Sequence, residues 1–193
     1  MTDKDVIDPQ SAKGRLVKEA ASLFKQKGYA ATTVREIANE VGILSGSLFH
    51  HFPNKEAILV AVMEQAIIRT QRKQEACIAD ISSLKPRLVA MIQCELEAIL
   101  GKSEIGFAIL ATEWRALSPV SQAKILGLRE DYEALWCAQL SLAHDSGTAR
   151  IAPYLLRHLM RGAMIETSHW FQDGGRLSLN ELSEHIYQGF FAH

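Results

Sequence analysis

Residues 34–52 read VREIANEVGILSGSLFHHF, and this stretch decides the fold. Its apolar positions Ile37, Ala38, Val41, Ile43, Leu48 and Phe52 fall on the inward side of two short helices. Gly42 separates them where a tight turn needs a left-handed residue. Ala38 is small where the helices would cross closely. The spacing predicts a helix-turn-helix, closed into a three-helix core by Leu16, Ala20, Leu23 and Phe24 of a preceding helix. The second helix then keeps Ser45, Gly46, Ser47, Phe49, His50 and His51 on its outer side. Small or hydrogen-bonding groups of this kind suit a helix that enters the major groove of DNA.

Outward from this segment the whole chain of 193 residues reads with helical period, and no alternating strand pattern occurs. Prolines at 9, 53, 86, 119 and 153 lie at or just before helix starts, and glycines at 28, 42, 101, 147 and 174–175 mark ends. The punctuation predicts an all-α fold of about nine helices: 11–28, 33–41, 45–52, 54–80, 86–101, 103–117, 119–144, 152–171 and 178–191. Thr33 with Glu36 and Ser178 with Glu181 have capping-box spacing, and Ser118 precedes Pro119 as a cap. A DNA-binding domain is expected at 1–55 and a larger helical domain at 56–193, joined through the long helix 54–80.

Charge follows the same division. Residues 11–55 carry Lys13, Arg15, Lys18, Lys25, Lys27, Arg35 and Lys55 against Glu19, Glu36 and Glu40, a net charge of +4. Residues 56–193 hold 13 basic and 16 acidic side chains, a net charge of −3. A basic head on a mildly acidic body fits an anionic partner at one end. No apolar run approaches the roughly 20 residues that span a bilayer, so no membrane partner is expected. The acidic, polar start MTDKDVIDPQ is neither a signal nor a transit peptide, and a cytoplasmic location is expected. Cys77, Cys94 and Cys137 form no CxxC pair and are expected as buried free thiols.

The run TTVREIANEVGILSGSLFHHFPNKEAIL (32–59) resembles the DNA-binding segment of TetR-family regulators, specifically over residues 11–60 and in architecture beyond. The resemblance implies a ligand-responsive repressor that binds palindromic double-stranded operator DNA as a homodimer. Carried over by position, Thr33 and Arg35 are backbone contacts of the second helix, and Ser45, Gly46, Ser47, Phe49, His50 and His51 form the reading helix. Lys55 is then the phosphate clamp that opens the fourth helix. Many relatives have tyrosine at position 49. The phenylalanine here lacks the phosphate-bonding hydroxyl, which leaves apolar contact with a thymine methyl or a sugar.

The family also pairs its last two long helices with those of a dimer mate. That implies an interface of Leu156, Met160, Met164, Trp170, Leu182, Ile186 and Phe190, on stripes that would equally serve the chain's own core. Met91, Cys94, Phe107, Leu110, Trp114, Tyr132, Trp136 and Met164 are the implied lining of an apolar effector pocket. The string SHWFQDGGRLSLNEL (168–182), like GILSGSLFHHF, is similar to relatives that control fatty-acid and steroid breakdown, whose effectors are often acyl-CoA thioesters. No arginine cluster stands ready for a CoA phosphate.

Three other readings bear on the same residues. Glu113, His144, Asp145, Glu166 and His169 are the acid–base candidates for an enzyme, but no HExxH, GxSxG or P-loop occurs. A metal-sensing regulator of the same architecture is the nearest alternative. His50 and His51, adjacent on a helix, point about 100° apart, and His158 and His169 would stand roughly 16 Å apart, so no metal site and no cofactor are expected. The last alternative is a helical interaction module without DNA function.

Overall fold

A computed structural model describes residues 6–102 and 105–191. Among these residues there are nine α-helices and no strand: α1 (Ala12–Lys27), α2 (Val34–Val41), α3 (Ser45–Leu48), α4 (Lys55–Ile78), α5 (Leu84–Ile99), α6 (Ile105–Thr112), α7 (Pro119–Asp145), α8 (Pro153–Trp170) and α9 (Leu179–Phe190). A 3₁₀ turn, Trp114–Ala116, splits off the end of the helix expected at 103–117, whose first two residues lie outside the described ones. The α3 helix is one turn long, shorter than the expected 45–52. Its path nevertheless continues through bonds from His51 N to Leu48 O (2.9 Å) and Phe52 N to Leu48 O (3.0 Å).

Local chemistry sets several of the ends. Ser11 Oγ accepts from Gly14 N at 3.0 Å and Asn54 Oδ1 from Ala57 N at 2.8 Å, which starts α1 and α4. Both capping boxes form, at Thr33–Glu36 and Ser178–Glu181. Gly42 adopts φ 75° and ψ 30°, with its N–H on Asn39 O and the Ile43 N–H on Ala38 O. That pair of bonds is a Schellman closure, which needs a left-handed residue at this position.

The chain divides into two compact units, Met1–Arg69 with Glu104–Arg129 and Thr70–Ser103 with Glu130–His193. The α4 helix gives its first fifteen residues to the first unit, and α6 belongs there too. In the first unit α1 packs on α2 and α6, and α2 on α3. Leu16, Ala20, Leu23, Phe24, Ile37, Ala38, Leu48 and Phe52 are buried, whereas Val41 and Ile43 are half-buried. The α6 helix reaches α4 through a glycine. A Cβ at Gly106 would stand 2.8 Å from Val62 O and 3.1 Å from the Ala66 Cβ, so only hydrogen fits.

The second unit packs α5 on α8 and α9, and α8 on α9. Its core holds Leu88, Met91, Ile92, Leu96, Trp136, Leu140, Leu156, Met160, Met164 and Leu182. Here the structure corrects the expected dimer stripe. Leu156, Met160, Met164 and Leu182 are already covered by the chain's own core, while Leu155, Leu159 and Trp170 are exposed. Burying a large apolar side chain stabilises by about 1.5–3 kcal/mol, so these four are not available to a second chain in this packing. Cysteine placement differs from expectation as well: Cys94 is buried, Cys137 is half-buried and Cys77 is exposed.

Gly106→Val should overpack the α4–α6 contact and lower stability by about 1–3 kcal/mol, the usual range for inserted methyl groups. Thermal or urea denaturation of the purified variant would measure it, and an unchanged midpoint would contradict the contact.

Candidate nucleic-acid interface

Both ends of α2 are fixed by local residues. Thr33 N donates to Glu36 Oε2 at 2.8 Å and Glu36 N donates to Thr33 Oγ1 at 3.2 Å. The Thr33 hydroxyl donates in turn to the same carboxylate at 2.9 Å. Lys27, from the end of α1, donates to Glu36 Oε1 at 2.8 Å. The Glu36 carboxyl is lowered to about 2, first by the Lys27 bond and then by the Thr33 backbone and hydroxyl.

Lys55 closes the same corner from the other side. Its Nζ donates to Tyr29 O and Thr32 O at 2.8 Å each and lies 3.4 Å from Ala30 O. It also stands 4.2 Å from the centroid of the Tyr29 ring. An ammonium has three donors, and three carbonyls take them here. The side chain expected to clamp phosphate is therefore engaged in closing the α1–α2 connection onto the start of α4. Tyr29 is tied a second time, its N–H donating to Glu113 Oε1 at 3.1 Å.

The reading segment projects from this frame. Gly46, Phe49, His50 and His51 are exposed, Ser45 and Ser47 are half-buried, and Arg35 is exposed without an ion pair among the described residues. Thr33 is exposed, but its hydroxyl is engaged in the cap. Leu44, outside the expected reading set, has 80% of its surface exposed and adds a second apolar group to Phe49, 52% exposed, in this segment. The sequence carried a signal for it: an apolar residue directly before the reading helix and outside the inward set.

Of the implied effector lining, Met91, Cys94, Tyr132, Trp136 and Met164 are buried in the second unit, and Phe107, Leu110 and Trp114 are half-buried in the first. Burial raises the Cys94 thiol to about 12, which leaves no reactive thiolate. The centre of the second unit is polar. Arg157 donates through Nε to Glu133 (2.6 Å) and through Nη2 to Glu95 (3.1 Å), and Tyr132 Oη donates to Glu95 at 2.6 Å. Burial works against the Arg157 charge, but Glu95, Tyr132 and Glu133 outweigh it and raise its pKa. Burial first and Glu95 second push the Tyr132 hydroxyl well above its ordinary range. Sequence reasoning missed Glu95, Glu133 and Arg157. The available signal was a charged residue at an inward position of a helical stripe, Arg157 with Met160 and Met164 and Glu95 with Met91.

Of the expected dimer residues, Trp170 is exposed and Ile186 and Phe190 are half-buried. An open depression of about 440 Å³ lies at the α8–α9 turn, lined by Trp170, Phe171, Gln172, Gly175, Arg176 and Leu177. Among the described residues no group of three or more His, Cys, Asp or Glu is placed to hold a metal ion. No helix of the described residues is long and apolar enough to cross a membrane.

Residues 16–62 match the family model described as bacterial regulatory proteins, tetR family, and residues 82–192 match the tetracyclin repressor-like C-terminal domain. The chain belongs to the TetR family. It is thus a transcriptional regulator with a helix-turn-helix head, and not an enzyme. The HTH-type transcriptional repressor KstR2 of Rhodococcus jostii RHA1 is 29% identical over 95% of this chain and 93% of that one. A solved structure named superantigen pfit is 40% identical, with TM-score 0.86 over 98% of this chain and 94% of that one. The structure of AibR in complex with isovaleryl coenzyme A and operator DNA shares the fold at 22% identity, with TM-score 0.83 over 94% and 98%.

Two outcomes follow from the head's geometry. Lys55→Met should lower stability by about 1–3 kcal/mol, because it leaves carbonyls of the 29–32 connection unpaired. Denaturation without DNA measures this, and a variant of unchanged stability would return Lys55 to the role of phosphate clamp. The lowered Glu36 carboxyl stabilises the folded head above its ordinary value of 4.5 and stops doing so as pH falls toward about 2. Carboxyl NMR titration should give a midpoint near 2 in the wild type and a higher one in Lys27→Ala/Thr33→Ala, which keeps only the backbone N–H bond of residue 33.

Proposed function

We propose that this regulator is a repressor that acts as a homodimer on a palindromic operator and leaves it when an apolar small molecule binds the helical body. The observation that carries the reading is the doubly capped α2, which presents the exposed groups of residues 44–51 without drawing on them for its own stability. Residues 1–55 serve as the DNA-binding domain and 56–193 as the effector and dimerisation domain.

Within the head, Ser45, Gly46, Ser47, Phe49, His50 and His51 form the reading segment, whose side chains meet base edges, with Leu44 and Phe49 as the groups for thymine methyls. A Cβ at Gly46 would meet nothing within 4 Å, so the chain itself has no need of glycine there; a closely approaching DNA backbone does. Arg35 contacts phosphate, and Thr33 does so through the α2 start rather than its hydroxyl. Lys55 acts indirectly, by holding the frame. Few long polar side chains lie on the reading segment, so phosphate contacts should supply much of the affinity and make it depend strongly on salt.

The dimer forms through the outward face of α8, Leu155, Leu159, Ala163 and Trp170, together with Ile186 and Phe190 of α9. Leu155, Leu159 and Trp170 are 43%, 45% and 52% exposed, a stripe that a monomer would leave in water. Two heads roughly 34–36 Å apart match successive major grooves on one side of the duplex. The α4 helix contributes Lys55–Arg69 to one unit and Thr70–Ile78 to the other. An effector that biases the second unit therefore acts on the same helix that Lys55 ties to the head, and changes the head separation. Acyl-CoA thioesters are the first effector class to try, since AibR binds isovaleryl coenzyme A and KstR2 is a repressor of similar sequence over nearly its whole length.

The test is a mobility-shift and sedimentation study of the purified chain with its own upstream DNA, with and without acyl-CoA thioesters and the free acids. A dimer that protects two half-sites and is released by a thioester is expected. A monomer, or unchanged operator affinity at saturating effector, would sink the corresponding part. Arg35→Ala should lower the salt slope by about 0.9 without changing operator preference, whereas Ser47→Ala should change preference.

A further inference from the structure

The centre of the second unit holds two polar atoms that nothing in the chain satisfies. Arg157 is 4% exposed. Its Nε and Nη2 are engaged by Glu133 and Glu95, but the equally buried Nη1 has no hydrogen-bond partner. Gln74 is fully buried, its Nε2 donates to Tyr132 Oη at 3.3 Å, and its Oε1 has no partner. The two side chains converge on one residue: Gln74 bonds the Tyr132 hydroxyl, and the Arg157 guanidinium stands 5.7 Å from the Tyr132 ring centroid and 4.5 Å from that of Trp136. An open donor and an open acceptor thus belong to two side chains that meet the same tyrosine. Buried polar groups are paired in the great majority of cases, so these two ask for an occupant.

Charge selects its chemistry. One guanidinium already faces two carboxylates, Glu95 and Glu133. A carboxylate or phosphate brought to Nη1 would add a third anion, beside buried Glu95 and half-buried Glu133, to a single guanidinium. An uncharged carbonyl oxygen accepts from Nη1 without that penalty, and a hydroxyl or N–H satisfies Gln74 Oε1. The surroundings can adapt in shape. Met160 and Met164 follow Arg157 by three and seven residues on its own helical face, Met91 precedes Glu95 by four, and all three are fully buried.

We propose that Arg157 Nη1 and Gln74 Oε1 form the polar recognition point for an apolar group that carries an uncharged carbonyl and a hydroxyl. This deepens the effector reading above and rests on it only for the consequence on DNA. A thioester carbonyl meets the same requirement as a ketone; a free acid does not.

The test uses the full chain without DNA and two probe series, one on decalin and one on decane, each as alcohol, ketone, hydroxyketone and carboxylate. Calorimetry gives affinities. The indole N–H resonance of Trp136, whose Nε1 lies 3.4 Å from Tyr132 Oη, reports occupancy of this site. In at least one series the hydroxyketone should bind about tenfold tighter than the alcohol or the carboxylate, and it should move the Trp136 signal. Gln74→Leu leaves the ion pairs intact and should reduce hydroxyketone affinity about tenfold toward that of the plain ketone. Arg157→Met combined with Glu95→Gln and Glu133→Gln removes the guanidinium without stranding carboxylates. If that triple variant melts cooperatively, it should lose the preference for the carbonyl.

No preference in the wild type, a carboxylate bound tightest, or a Gln74→Leu chain that binds as the wild type would overturn the proposal; the open atoms would then hold water only. Operator binding is scored separately. A chain that binds the hydroxyketone but no operator keeps this site and loses the regulator reading, and the reverse result loses this site alone.

Discussion

A single ammonium group holds the head in register. Lys55 Nζ takes the carbonyls of Tyr29 and Thr32 and lies over the Tyr29 ring, so the first residue of α4 grips the connection between α1 and α2. That connection delivers Thr33, and Thr33 with Glu36 sets where α2 begins. Gly42 sets where it ends, and α3 starts at Ser45 soon after. Each element of the reading surface is therefore referred back to the start of α4. Charge-assisted bonds to carbonyls are stronger than neutral ones, which suits a joint that transmits position rather than one that only fills space.

The body depends on a different constraint, the rotation of α8 about its axis. Its sequence offers two nearly equivalent apolar faces, because Leu155 is followed by Leu156, Leu159 by Met160, and Ala163 by Met164. One residue of rotation, about 100°, exchanges them. Arg157 breaks the tie. Its partners Glu95 and Glu133 lie inside the second unit, and a helix turned to present Leu155 inward would swing the guanidinium away from both. A buried ion pair adds little net stability against an apolar substitute, but here it selects which apolar face stays outside.

This difference explains what could be read in the sequence. The helix-turn-helix was legible because its determinants are local: a hydroxyl and a carboxylate three apart, a glycine at a left-handed position, apolar residues at helical spacing. The outer groups from Ser45 to His51 followed from that frame. The inward face of α8 was not legible, since Leu156 and Leu155 are the same residue type and the decision belongs to a carboxylate 62 positions from Arg157. Lys55 was visible as a cation near the head. Its acceptors are backbone carbonyls, which leave no mark in a sequence, so its place in the frame came only with the structure. The Thr33 hydroxyl is a similar case, visible as a capping group and also as a DNA contact until the bond to Glu36 used its one proton.

The shortness of α3 has a consequence for how such a protein diversifies. Of residues 45–52 only Leu48 and Phe52 are buried; Ser45 and Ser47 are half-buried and the other four are exposed. Mutations can therefore accumulate across the remaining positions while the scaffold keeps its melting behaviour. Duplicated copies of the gene could acquire new target sites quickly, with the caps, the Lys55 joint and the body inherited unchanged.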